Sequence, residues 1–146
     1  MNISVDKTDL AMLRNKIKQL QELSKQELSN ELATTAFKAT QRMKLTAPHK
    51  LGNLMQSIRA ERVNQTNIEI RAGAKYAPYV EFGTGRGVTL KFLRDAGFPE
   101  SYAAQFKGKG KGRGFVYARP FFFPALRVEF DQLIKRVDRK IKNITK

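Results

Sequence analysis

The chain contains no cysteine, which excludes disulfides and cysteine-based metal sites. Histidine occurs once, at His49 after a proline, so a metal site would need carboxylates around it; a solvated loop residue is the simpler expectation. No apolar run reaches the roughly eighteen residues of a membrane-spanning helix. The opening Met1-Asn2-Ile3-Ser4-Val5-Asp6 lacks the basic and apolar regions of a secretion signal, so a soluble protein made in a cytoplasm is expected. Acidic residues are scarce, 13 against 28 Lys plus Arg, leaving a net charge of +15. Such a field attracts nucleic acid, acidic protein surfaces or anionic membranes without choosing among them.

The charge is unevenly placed. Residues 84–114 hold seven basic and two acidic side chains, and the tail from Lys135 to Lys146 holds six basic groups and one acid, a net of +5 in each. The chain is 146 residues long and is expected to form one domain over 1–146.

Helical spacing of Leu10, Leu13, Ile17 and Leu20 predicts a first helix over 6–23. The phase then slips at Ser24-Lys25-Gln26-Glu27, a capping box. It opens a second helix to about Leu45, with Leu28, Leu32, Ala36, Ala39 and Met43 as its stripe and Pro48 as its stop. Residues 57–63 and 68–72 read as a hairpin around Asn64-Gln65-Thr66-Asn67, completing a unit over 25–82. Residues 77–82 read as a turn or so of helix, with Pro78 at its start and Gly83 as a left-handed cap. The segment 83–114 reads as a flexible basic excursion, with apolar residues between Leu90 and Phe106 sufficient for a small helical piece. Residues 115–146 read as a strand followed by a helix striped by Leu126, Phe130, Leu133, Val137, Ile141 and Ile144. The expected fold is α+β: a small antiparallel sheet of three or four strands, using the hairpin and residues 115–118, packed by the long N-terminal helix and the C-terminal helix, with a long basic loop.

Two motifs stand out. One is Tyr76-Ala77-Pro78-Tyr79-Val80-Glu81-Phe82-Gly83-Thr84, the other Ala118-Arg119-Pro120-Phe121-Phe122-Phe123-Pro124-Ala125-Leu126. Aromatics beside proline and glycine pin the backbone while presenting large apolar faces, the pattern of a packing and assembly motif. Each holds one charge. Nothing beside Glu81 and Arg119 supplies a nucleophile or a base, so a structural ion pair between the motifs is expected rather than a catalytic site. The Phe121-Phe122-Phe123 run, if extended, cannot turn wholly to one core, which points to a ring meeting a neighbouring subunit. The glycines match neither the P-loop nor the dinucleotide fingerprint. Residues 111–118 approach the RNA-recognition octamer, but Arg113 and Ala118 replace two of its aromatics.

Together these motifs resemble the gene-product-ten-like tail-component family of long-tailed bacteriophages, tail-completion or head–tail joining proteins. The resemblance runs from about Leu28 to Ile141. It takes in Ala47-Pro48, Leu51-Gly52, Leu54 and Ser57-Ile58, then residues 76–84, then Ala118 to Phe121 with Pro124 to Leu126; Leu51 stands where the family usually has threonine. It implies a non-enzymatic virion protein without cofactor or membrane contact, made in the host bacterial cytoplasm. It also implies a homo-oligomeric ring, hexameric or dodecameric, at the head–tail junction, touching a head-completion or connector protein and the tail tube protein. Arg86, Lys91, Arg94, Lys107, Lys109, Lys111 and Arg113 would then face either DNA in the lumen, without reading sequence, or an adjacent protein. The alternative from the composition alone is a sequence-nonspecific nucleic-acid-binding protein using its basic loop and tail.

Overall fold

The computed structural model describes residues 11–12, 14–15, 17–18, 25–50, 52–88, 91–95, 100–107 and 114–144, the side chains of 92, 93, 107 and 144 excepted. Of the expected first helix, Ala11, Met12, Arg14, Asn15, Ile17 and Lys18 are helical and exposed; the rest of 6–23, and the capping serine at 24, lie outside the described residues. The elements are α1 (Lys25–Thr46), α2 (Gly52–Ser57), β1 (Ile58–Asn64), β2 (Asn67–Ala72), α3 (Ala77–Phe82), α4 (Lys91–Asp95), α5 (Glu100–Ala104) and α6 (Phe123–Ile144), with 3-10 turns at Gly85–Gly87 and Gln105–Lys107.

α1 and α6 lie side by side and antiparallel, as their cross-links show. Glu31 near the start of α1 accepts from Arg136 Nε at 2.7 Å, while Arg42 near its end reaches Glu129 at 2.8 Å near the start of α6. The buried face of α1 is built largely from small residues, Ser29, Thr35, Ala36, Ala39 and Thr40, with Met43. Thr35 and Thr40 satisfy their hydroxyls by donating to Glu31 O and Ala36 O, both at 2.8 Å. Small side chains allow the helix backbone close to its neighbours. The expected stripe fails at its first member: Leu28 is exposed and Ser29 is buried, because Arg62 from β1 donates to Ser29 Oγ and holds that edge against the hairpin.

β1 and β2 pair antiparallel with Ile58 opposite Ala72 and Ala60 opposite Ile70. Asn64 Oδ1 accepts from Thr66 N at 2.9 Å and turns the chain between them. The sheet has these two strands among the described residues, not three or four. Residues 115–118 are extended but lie off the sheet, because their backbone groups are taken by residues 84–87. Val116 O accepts from Thr84 N, and Ala118 N donates to Gly87 O.

The main core gathers Ala39, Met43, Ala47, Leu54, Ile58, Ala77, Phe121 and Ala125. Leu54 arrives on α2, a short helix not expected from the sequence, which Ser57 closes by donating to Leu54 O at 2.8 Å. On α6 the buried positions are Ala125, Glu129 and Leu133, whereas Phe130, placed in the expected stripe, is 47% exposed. The face turned to α1 is centred on Glu129, Leu133 and Arg136, about a quarter-turn from Phe130.

Arg136, followed by Lys140 at 3.1 Å, holds the Glu31 carboxyl below its usual 4.5 against a smaller opposing effect of burial. A depressed folded pKa contributes stability that is present above the unfolded value and lost as pH falls through the folded one. The expected result is a wild-type unfolding free energy that drops below pH 4.5 more steeply than that of Glu31→Gln, by about 1 kcal/mol in total. Equal slopes for the two proteins would show that the contact contributes nothing.

Candidate functional site

The two motifs meet. Pro120 and Pro124 have no N–H, so the segment between them offers three backbone donors, those of Phe121, Phe122 and Phe123. All three donate to one carboxylate. Phe121 N and Phe122 N reach Glu81 Oε2 at 2.7 and 2.9 Å, and Phe123 N reaches Oε1 at 3.0 Å. Phe123 is the first residue of α6, so these are unpaired donors at a helix N-terminus, and Glu81 caps that helix from another element. Burial pushes the Glu81 carboxyl above its usual value, with the three N–H donors pulling against it.

This arrangement replaces the expected ion pair. Arg119 is exposed and forms no ion pair with Glu81; its part in the junction is its backbone N–H, which donates to Val80 O at 2.7 Å. The physical reason is geometric. Three amide donors fill the carboxylate while the preceding residue points its side chain outward. The signal was present in the sequence: two prolines bracketing three amides create a cluster of donors that a buried acid can satisfy.

Below the cap, α3 ends at Gly83 with φ +77°, a conformation favouring glycine. Thr84 then pairs with Val116 in both directions, accepting Val116 N through its hydroxyl at 2.9 Å and donating its own N–H to Val116 O at 2.9 Å. Around this junction the aromatics form a second core. Phe82 stacks on Phe106 at 5.4 Å and meets Tyr102 at 5.6 Å and Phe123 at 5.7 Å, while Tyr79 packs edge-on against Phe106 at 5.4 Å. Of the expected assembly residues, Phe82, Gly83 and Phe121 are buried, Tyr76, Pro78, Pro120, Phe122, Phe123 and Pro124 are half-buried, and Tyr79 is exposed. The three phenylalanines divide between the two cores because the segment turns into α6 instead of running extended.

The excursion over 83–114 is not wholly a flexible loop. Its α5 buries Ala103 beside Phe82, and Tyr102 and Phe106 complete the aromatic cluster. Two of its cations are engaged locally, Arg94 with Glu100 at 2.5 Å and Arg86 over the Phe115 ring at 4.9 Å. Lys91 is exposed; Lys107 ends the second 3-10 turn; Lys109, Lys111 and Arg113 lie outside the described residues.

Beside Glu81 lies a cavity of about 160 Å³ walled by Pro78, Phe82, Tyr102, Phe122 and Phe123. It is below the few hundred Å³ typical of small-molecule sites. Among the described residues no cluster of three or more His, Asp or Glu could hold a metal, and no helix is long and apolar enough to cross a membrane. The arrangement can join elements; its acid is committed to backbone amides and has no substrate-sized space in front of it.

A family model described as "Bacteriophage HK97-gp10, putative tail-component" matches residues 11–83, which takes in α1, the hairpin and the first motif up to Gly83. No curated protein and no solved structure matches the chain significantly.

Proposed function

From the premise that this chain belongs to the HK97-gp10-like family of bacteriophage tail components, we propose that it is a structural head–tail connector or tail-completion protein, one copy of a homo-oligomeric ring at the neck of a virion. The family match carries this reading. The spent carboxylate of Glu81 supports it, since the motif most suggestive of a site is used to hold α3 to α6. In such a ring, which we take to be built from single-domain subunits, the cations of 86–113 face packaged DNA or an adjacent protein such as the tail tube or a head-completion protein.

Electron microscopy of particles assembled without the protein tests the role. Free tails beside filled heads are expected, and complete virions would overturn it. A variant with Lys107, Lys109, Lys111 and Arg113 changed to serine separates the two uses of the loop: joined particles that lose DNA mark the first, and failure to join with the ring intact marks the second. The net charge of +15 favours one competing reading, a sequence-nonspecific nucleic-acid binder. That reading requires particles that assemble normally without the protein, and a monomer that shifts duplex DNA with steep salt dependence.

A further inference from the structure

The outer face of α1 carries two of the three most exposed large apolar side chains among the described residues. Phe37 is 64% exposed and Leu45 72%, two turns apart on one side of the helix. Neither belongs to either core, and isolated exposed apolar residues are ordinary, but Phe37 stands between two grooves and Leu45 lines one of them. One, of about 510 Å³, runs between α1 and the hairpin past Ala33, Ala36, Ile58, Ala60 and Ile68. The other, of about 530 Å³, runs between α1 and α6 past Gln41 and Gln132. Phe37 lines both.

The charge around this face has one dominant sign. From Leu32 to Thr46, α1 carries Lys38, Arg42 and Lys44 and no acid. Arg42 is neutralised by Glu129, but Lys38, Lys44 and the neighbouring Arg59 of β1 form no ion pair among the described residues. Glu61 is the acid on the hairpin rim. We infer that this face docks an acidic amphipathic helical segment of another protein, whose apolar stripe covers Phe37 and Leu45 and whose carboxylates meet Lys38, Lys44 and Arg59. Charge complementarity selects the occupant. A second copy laid face to face here would set Lys38, Lys44 and Arg59 against their own counterparts, so like charges would oppose at this contact. Duplex DNA satisfies the cations but offers no apolar surface to two large side chains standing proud of the helix. An acidic amphipathic segment satisfies both requirements, in the manner of a helix laid into a groove.

The inference stands on this surface and holds whether or not the chain works in a ring. Its test uses the full chain and a fluorescent synthetic helix with leucines on one face and glutamates on the other, followed by anisotropy. Saturable binding is expected, and Phe37→Ser and Leu45→Ser should each weaken it about tenfold while leaving thermal unfolding unchanged, since both side chains are exposed. Lys38→Glu should weaken it as well. Equal binding by the three variants would overturn the proposal, as would equal binding of the same helix with lysines in place of glutamates. Two results assign the face to another occupant and also overturn it: loss of a wild-type oligomer in Phe37→Ser, or loss of duplex-DNA affinity in Leu45→Ser.

Discussion

Glu81→Ala is expected to lower stability by about 4 kcal/mol, enough to leave much of a marginal protein unfolded. The substitution strands three backbone donors at the start of α6, and each buried unpaired group costs about 1–3 kcal/mol, less whatever is recovered by removing a buried charge. Glu81→Gln should cost about half as much. Its single amide oxygen can keep the N–H groups of Phe121 and Phe122, but its NH₂ then meets the N–H of Phe123 donor to donor. Chemical denaturation of the three proteins checks the order. Equal losses for Ala and Gln would mean that volume, not acceptor count, matters at this position. The pH dependence has the opposite sign to that of Glu31. Burial raises the Glu81 carboxyl in the folded state, so its contribution is fully present below the unfolded value of 4.5 and is lost as pH rises through the folded one. The penalty of Glu81→Gln should therefore shrink between acid and neutral pH.

How much of this was legible in the sequence depends on which physical effect dominates at each residue. Periodicity located α1 and α6 because each has to bury one face, two short extended runs around a polar tetrad located the hairpin although β1 buries only Ile58, and the rule of proline first and glycine last placed α3. Finer placement failed where polar contacts decide burial. Ser29 lies inside and Leu28 outside because an arginine from β1 reaches the hydroxyl, and Phe130 was displaced from the packed face by Glu129, which Arg42 holds. Residues 115–118 have the composition of a sheet strand, yet their hydrogen bonds go to the segment after Gly83, a choice made by tertiary geometry. At the site, the sequence identified Glu81 and Arg119 as the two charges of interest. Charge suggested pairing them; counting amides between the prolines would have suggested the cap. Within the excursion the apolar residues between Leu90 and Phe106 signalled the helical piece where α4 and α5 lie, but not that Tyr102, Ala103 and Phe106 would pack around Phe82.

Gly83→Ala is expected to cost about 4 kcal/mol, from two separate sources. The φ of +77° with ψ of −173° lies in a region essentially reserved for glycine and carries a penalty of about 1–3 kcal/mol for a residue with a Cβ. A Cβ there would also lie 2.5 Å from Gly87 O, 2.6 Å from Val116 O and 2.8 Å from Ala118 N, all backbone atoms that no rotamer change can move aside. Relieving that overlap requires 84–88 and 115–118 to separate, which breaks the bonds of Thr84 to Val116 and of Ala118 to Gly87 and adds about 1–3 kcal/mol. Gly87→Ala separates these sources. Its φ lies outside the left-handed region, but its Cβ would overlap Val116 O more closely than the Gly83 Cβ overlaps any atom, and would sit 2.6 Å from Val116 C and 2.9 Å from Tyr117 N. It should show the overlap cost without the conformational one. Gly52→Ala is the control, at the start of α2 with nothing within 4 Å of the added carbon, and should melt as wild type. Thermal unfolding of the three variants is expected to rank both Gly83→Ala and Gly87→Ala well below Gly52→Ala. A Gly83→Ala protein as stable as wild type would mean that the clamp between α3 and the segment before α6 is not closed as described, and the capping by Glu81 that depends on it would fall with it.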